Sequence, residues 1–189
     1  MDTLQVVNRM LGKMGQAPVE SLTEDHAFIP ACRLALDTVD ELIQSRGWWF
    51  NTEKLTIEPD SNGFLNLPGD VLAVRTDCRW IIKRGTKLYD SEKGTDVFTE
   101  PADILIIRRI PFDELVPEAQ QAIGLRAIYN FQTDYDGDAT KTRLLATEVT
   151  EANAALSAAH IRAVKYNALW QNPRIRRMLV VSRGIRAIT

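Results

Sequence analysis

The sequence changes its hydrophobic period at Gly47, and this change constrains the fold more than any other feature. Upstream, apolar residues recur every three or four positions, as on one face of a helix; downstream they alternate, as in a strand. Glycine tolerates the left-handed backbone that commonly ends a helix. Trp48, Trp49 and Phe50 follow directly. We expect these three aromatic side chains to anchor two layers of structure at this junction.

Two helices are predicted upstream of the junction. The first carries an apolar face and ends at Gly15. The second is predicted over about His26 to Ser45, and Ser21 to Glu24 matches a capping box in front of it. Pro30 suits only the first turn of a helix, so the second helix either begins near Phe28 or bends there. Its apolar stripe comprises Cys32, Leu36, Val39 and Ile43.

Residues 48–110 are predicted to form five or six short strands. The gaps between them are too short for crossover helices, so the strands should be antiparallel. Phe64 to Leu67 alternates like a strand, and Arg84 to Lys87 is predicted as a hairpin turn. Asp103 to Ile110 is the strongest strand, because it contains a continuous run of mostly β-branched apolar residues.

Helical sequence returns after Pro111. Pro117 suits the first position of a third helix that runs to about Tyr135, and residues 136–138 break it. A fourth helix is predicted from Ala139 to Trp170. Its apolar residues recur at spacings of four and three, as in a heptad seam. The seam comprises Leu145, Val149, Ala152, Leu156, Ala159, Ala163, Tyr166 and Trp170.

The length of the fourth helix has a consequence for assembly. A helix of this length spans roughly 48 Å, whereas a compact chain of this size has a diameter of roughly 40 Å. A continuous helix would then overhang the body, and because its apolar seam persists to the end, the overhang would need cover from another chain, which favours an obligate oligomer. The alternative is a break in the helix that lets it fold back.

These patterns together predict an α+β fold. The expected architecture is an α-helical bundle of about four helices, the last one long, with an inserted small antiparallel β-sheet region. We assign residues 1–47 and 111–173 to the helical bundle domain, 48–110 to the inserted β-rich domain, and 174–189 to a basic C-terminal tail.

Catalytic, cofactor and metal sites are not predicted. The net charge of −2 argues against a polycation that binds nucleic acid along its whole length. Cys32 and Cys78 are expected to be lone buried thiols, and His160 is expected on a solvated or interfacial helix face. Asp134 to Asp138 opens like a calcium loop, but the later glycine and glutamate of that loop are missing. We expect neither a signal peptide nor a membrane span.

The C-terminal segment from His160 to Thr189 contains seven Arg and Lys residues and no Asp or Glu. One interpretation is a surface for nucleic acid or another acidic partner. The other is docking on an acidic face of a neighbouring subunit, for which the region from Asp90 to Asp103 is a candidate. Met178 to Val181 is apolar, so part of the segment should pack as an extended strand.

Several short motifs, in this order and spacing, carry a resemblance to a known family. They are Val6–Leu22, Leu42–Asn51, Leu67–Asp70, Arg84–Asp90 and Ile107–Leu115. The chain resembles the tail tubular protein A family of short-tailed (podovirus-type) bacteriophages, a class of head–tail connector adaptors. The resemblance implies a structural virion protein without enzymatic activity or a cofactor, located in the virion tail and in the host cytoplasm during assembly.

The resemblance also implies partners. Family members form a dodecameric ring between the portal protein and the nozzle, tail tubular protein B, and serve genome passage and ejection. Tail fibres attach nearby, genomic DNA makes transient contact in the channel, and no membrane is involved. Our candidate residues for subunit or partner interfaces are Trp48, Trp49, Leu156, Tyr166, Trp170, Arg174, Arg176, Arg177 and Arg183.

Two other functions stay open from the sequence. A glycan hydrolase acting on host capsule or cell wall needs a pair of carboxylates. Glu148 with Glu151, or Asp37 with Asp40 and Glu41, share a helix face, although such groups are usually solvated surface. A DNA-binding regulatory protein would use the arginines of the C-terminal segment, with an affinity that falls steeply with salt.

Overall fold

A computed structural model describes residues 1–76, 80–135 and 139–171, and it has the α+β fold that the sequence predicts. The described α-helices are α1 (Thr3–Lys13), α2 (Ile29–Gln44), α3 (Pro117–Tyr135) and α4 (Ala139–Gln171). The described strands are β1 (Thr52–Ile57), β2 (Val71–Arg75), β3 (Ile81–Arg84), β4 (Lys87–Asp90) and β5 (Ala102–Arg108). A 3-10 turn, Phe112–Glu114, leads from β5 to α3.

Some predictions lie outside the described residues. These concern Cys78, the helix break at 136–138, the calcium-like loop that includes it, and the C-terminal residues Arg174, Arg176, Arg177 and Arg183. The side chains of Tyr166 and Trp170 also lie outside them, although the backbone of both residues belongs to α4.

The start of α2 resolves the ambiguity at Pro30. The helix begins at Ile29 with Phe28 at its N-cap, so Pro30 falls in the first turn, where its missing N–H breaks no helical hydrogen bond. The capping box predicted at Ser21 is wrong. The Glu24 carboxylate does accept from the Ser21 N–H at 2.7 Å, but the segment forms a separate turn before the helix.

The strands form two antiparallel sheets. β5 lies between β1 and β2 in a three-stranded sheet, while β3 and β4 form a two-stranded hairpin. Gly85 closes the hairpin at φ +62°, a value that favours glycine. The strand predicted at Phe64 to Leu67 is wrong: Phe64 and Asn66 make only isolated bridges, to Val97 and Lys87.

Two hydrophobic clusters stabilise the part of the chain that the structure describes. The larger is built by the four helices, with α3 packing against α1, α2 and α4. The smaller lies under the strands and includes Ile104 and Ile106 of β5. The predicted stripe of α2 is buried in the larger cluster. Cys32 is a free thiol within it, and burial raises the pKa of this thiol to about 11.

α4 is one continuous helix of 33 residues, about 50 Å long. The alternative of a broken, folded-back helix is therefore wrong. Between Leu145 and Ala159 the seam is buried in the chain's own core, so the expected cover from another chain concerns only the part of α4 beyond this stretch. Beyond this stretch, Ile161 and Val164 are about half exposed, at 51% and 47%.

Candidate functional site: the junction and the outer helix faces

The helices and strands meet at two buried amide side chains. Gln44 is fully buried, and its Nε2 donates to Asp40 Oδ1 and to the Ile110 carbonyl, both at 2.8 Å. Its Oε1 accepts from the Ile110 N–H at 2.9 Å. The side chain of Gln44 therefore satisfies both backbone groups of Ile110, as a neighbouring strand would.

Asn51 closes the same junction from the other side. Its Nδ2 donates to the carbonyls of Gln44 and Arg108, each at 3.0 Å, and its Oδ1 accepts from the Trp48 N–H at 2.8 Å. The Arg108 N–H donates to the Asn51 carbonyl at 2.9 Å. Asn51 thus joins the end of α2, the aromatic turn and the end of β5 through one side chain.

Two consecutive arginines extend this junction in opposite directions. Arg108 binds carboxylates of the strand region, with Nε 2.6 Å from Asp70 and Nη1 3.3 Å from Glu53. Arg109 binds two carboxylates of α2, Asp37 and Asp40. Adjacent residues in an extended chain point to opposite sides, so the pair joins both parts of the fold.

The electrostatic surroundings of Asp40 and Asp70 differ. The hydrogen bond from Arg108 lowers the pKa of Asp70 below its ordinary value. Burial raises the pKa of Asp40, while the hydrogen bond from Gln44 and the charge of Arg109 act against this rise. Asp40 is only 2% exposed. Its description as solvated helix surface is therefore wrong.

Three of the five carboxylates considered for hydrolysis contact an arginine of this chain. Asp37 and Asp40 contact the same guanidinium, with Arg109 Nη2 and Nε at 2.9 Å and 3.4 Å. Glu148 pairs with Arg9 across the helices at 3.3 Å. An open cleft of about 470 Å³ runs beside Asp37 and Asp40. The acidic residues that line it are Asp37, Asp40, Asp70 and Asp113, and each accepts a hydrogen bond from this chain.

The aromatic residues after Gly47 pack on α4. Trp48 Nε1 donates to the Ile43 carbonyl at 2.8 Å, and its ring meets His160 edge to face at 5.4 Å. Trp49 contacts the same imidazole at 5.9 Å and Phe50 at 5.0 Å. The Nδ1 atom of His160 is buried and makes no hydrogen bond within the described residues. Of the two predicted positions for His160, a purely solvated helix face is therefore wrong.

The predicted interface residues fall in different places. Trp48 and Trp49 are half-buried and meet at His160. Leu156 is fully buried in the helical core, so its side chain has no surface to offer a partner in this fold. In the acidic region, Asp90 is 8% exposed and accepts from the N–H groups of its own turn, which removes it from any acidic docking face.

Sequence reasoning missed Gln44, Asn51 and Arg109. A signal was present for Gln44, because it continues the buried face of α2 one residue after Ile43, where an apolar residue would be expected. Asn51 stands at the end of the aromatic run, but its partner on β5, Arg108, is distant in sequence. Arg109 gives no local signal, since the carboxylates that it binds lie on α2.

In the described part of the chain, His, Cys, Asp and Glu residues form no group of three or more that is able to hold a metal ion. Of the helices within these residues, none combines the length and the apolar character that crossing a membrane requires.

Comparison with known proteins gives two matches. A family model described as tail tubular protein matches residues 4–166. Tail tubular protein A of Klebsiella phage KP34 is similar to this chain, with 26% identity over 122 residues. The aligned segment covers 63% of this chain and 65% of that relative, slightly less than two thirds of its length.

Proposed function

The chain belongs to the tail tubular protein family, and from this premise we propose that it is the adaptor subunit of a ring between the portal and the tail nozzle. Membership makes it a structural protein of a phage tail. The observation that carries the finer proposal is the extent of the family match, because residues 4–166 include every described strand and most of α4.

The junction supports a role in which force passes through the subunit. A ring subunit that is loaded during genome passage must keep its helices and strands in a fixed relative orientation. Gln44 and Asn51 join the two parts through buried hydrogen bonds, and Arg108 and Arg109 add ion pairs on both sides. Buried, fully paired polar networks of this kind favour one arrangement over its alternatives.

The proposed partners follow from this position. Twelve copies would form the ring, with the portal protein on one side, tail tubular protein B on the other and tail fibres nearby. Genomic DNA would contact the channel transiently. The subunit would act in the virion tail after assembly in the host cytoplasm. A closed ring requires heterologous contacts, in which two different faces of one subunit meet.

Two of the contact surfaces that the sequence predicts are part of this proposal. One is the half-buried pair Trp48 and Trp49. The other is the C-terminal segment, whose arginines would dock on acidic side chains of a neighbour. Asp90 is not available for that contact, which leaves exposed acids such as Glu92 and Glu100. The C-terminal residues in this proposal are Arg174, Arg176, Arg177 and Arg183.

We further propose that the role is not enzymatic. The acidic pairs weighed for glycan hydrolysis contain carboxylates that bind arginines of the same chain, Asp37 and Asp40 through Arg109 and Glu148 through Arg9. A general acid and a nucleophile need access to a substrate, whereas Asp40 is almost completely buried.

Electron microscopy of the purified full-length protein, alone and mixed with the portal protein, tests the proposal. We expect ring-shaped particles on the portal with twelve subunits. A protein that stays a compact monomer and does not associate with the portal at micromolar concentration would contradict it.

A further inference from the structure

We propose that the outer face of α2 in one subunit packs against the outer face of the C-terminal half of α4 in the next copy, and that this contact joins neighbours in the ring. The inference rests on the proposed ring. Beyond the ring itself, we infer which helix faces meet, in which register they pack, and which charges pair across the contact.

The outer face of α2 exposes two large apolar side chains to solvent, beside charged residues such as Glu41. Leu34 and Leu42 are 69% and 55% exposed and lie on the side opposite the buried stripe. Thr38, between them at a spacing of four, donates its hydroxyl to the Leu34 carbonyl at 2.7 Å. Ser45 likewise donates its hydroxyl to the Leu42 carbonyl at 2.9 Å. The hydroxyl groups of Thr38 and Ser45 are thus directed to the backbone, so the strip from Leu34 through Thr38 to Leu42 presents mainly carbon atoms.

The outer face of α4 is uncharged and built of small residues. Residues 152–161 contain no Asp, Glu, Lys or Arg. Ala154, Ala158 and Ile161 are exposed and recur at spacings of four and three on the side opposite the buried seam. One turn earlier, Thr150 donates its hydroxyl to the Ala146 carbonyl at 2.8 Å. Small side chains leave hollows on a helix surface that leucines of another helix are able to fill.

The two faces lie on separate helices that both pack against α3. Because each outer face points away from its own buried side, a second copy is able to add its α2 to the free side of α4. The contact joins two different faces, so it repeats from subunit to subunit instead of closing a dimer. This is the heterologous arrangement that a ring requires.

Spacing and charge select a parallel register for the two helices. Leu34 and Leu42 are separated by about 12 Å along α2, and Ala154 and Ile161 by about 10.5 Å along α4. If Leu34 packs beside Ala154 and Leu42 beside Ile161, the exposed Glu41 comes next to the exposed Arg162. In an antiparallel register, Leu42 would instead pack beside Ala154, and Glu41 would lie level with the uncharged residues 152–161, where no cation is present to pair with it.

The test uses the full-length protein assembled on the portal, followed by electron microscopy and sedimentation. The double variant Leu34→Gln/Leu42→Gln removes the apolar face of α2 with residues that favour helix, so its thermal unfolding should match that of the unmodified protein. We expect self-association at least about tenfold weaker and incomplete rings. Leu144→Gln is the matched control, because Leu144 is 63% exposed and lies outside both faces. It should assemble normally.

A charge exchange tests the register. Glu41→Arg and Arg162→Glu should each weaken ring formation, and the two together should restore it. Normal rings from the double leucine variant, or no rescue by the exchange, would overturn the inference while leaving the proposed function intact. Absence of rings from the unmodified protein on the portal would instead overturn the proposed function, and this inference with it.

Discussion

Gln44 and Asn51 each use a side-chain amide where regular structure would use the backbone. Both are nearly fully buried, and each makes three hydrogen bonds, of which those to Ile110 and Arg108 connect segments far apart in sequence. Local sequence predicted the aromatic cluster beside them because bulky rings after a helix end are a strong signal. It did not predict the amides, since their importance depends on Ile110 and Arg108, which approach only in the folded chain.

Replacing Gln44 by leucine should destabilise the fold strongly. The variant leaves both backbone groups of Ile110 without their partner, and each unsatisfied buried group costs about 1–3 kcal/mol. We expect a loss of about 3 kcal/mol in the free energy of unfolding, measured by urea denaturation. Gln121→Leu, the same change at an exposed position of α3, should cost less than about 0.5 kcal/mol. Equal losses from both variants would refute the role of Gln44.

Asp40 and Asp70 should contribute to stability with opposite dependence on pH. The folded state lowers the pKa of Asp70, so its contribution is present above the ordinary value of 3.8 and is lost as pH falls through the lowered pKa. The folded state raises the pKa of Asp40, so its contribution is present in acid and is lost as pH rises from 3.8 through the raised pKa.

The measurement is the free energy of unfolding of Asp40→Asn and Asp70→Asn between about pH 3 and 7. The advantage of the unmodified protein over Asp70→Asn should grow with rising pH. Its advantage over Asp40→Asn should shrink over the same interval. A difference that changes in the same direction for both variants would contradict the assignment of the two carboxylates.

At the scale of elements, the end of α2 was predictable and its packing was not. Gly47 adopts φ +76°, as expected for a glycine after a helix. A β-carbon at Gly47 would lie 2.7 Å from Ile107 Cδ1 of β5, because the turn packs directly on the sheet. The close approach depends on β5, which follows far along the chain, so the period change at Gly47 gave no sign of it.

Gly47→Ala should therefore cost more than Gly15→Ala. Both glycines have positive φ, but nothing lies within 4 Å of the β-carbon position at Gly15. We expect about 1 kcal/mol for Gly15→Ala from the backbone alone, and about 2–4 kcal/mol for Gly47→Ala, in which the contact with Ile107 adds. Thermal and urea denaturation measure both. Equal losses in the free energy of unfolding for the two variants would show that Ile107 moves away from the added methyl group without cost.

The seam of α4 shows what periodicity is able to predict. Spacings of four and three identified the buried face from Leu145 to Ala159 correctly. The same spacings do not state what covers that face, and α3 of the same chain covers it instead of a second copy. The length of α4 was also predicted well, because residues 139–170 hold no proline and the apolar pattern is not interrupted.

Alanine substitution on α4 should separate the two faces of the helix. Leu156→Ala removes a fully buried side chain and should cost about 2–5 kcal/mol. Leu144→Ala, at a side chain that is 63% exposed on the same helix, should change the free energy of unfolding by less than about 0.5 kcal/mol. A small loss at Leu156 would place this residue outside the core and return it to the interface candidates.

At the scale of the whole molecule, long-range contacts at one junction join the described helices to the described strands. The α+β class and the antiparallel strands were predictable, because they follow from local periods and short gaps. The orientation of the helices relative to the strands was not, since it is set by the long-range contacts of Gln44, Asn51 and Arg109. These contacts make the chain suitable as a repeated structural part.

The most direct test is a cryo-electron microscopy reconstruction of the tail in intact virions of the phage that encodes this chain. The account expects a ring between portal and nozzle, with a subunit density that accommodates the four helices and both sheets as one body. A ring at that position built from a different fold, or the absence of this chain from the virion, would contradict the account.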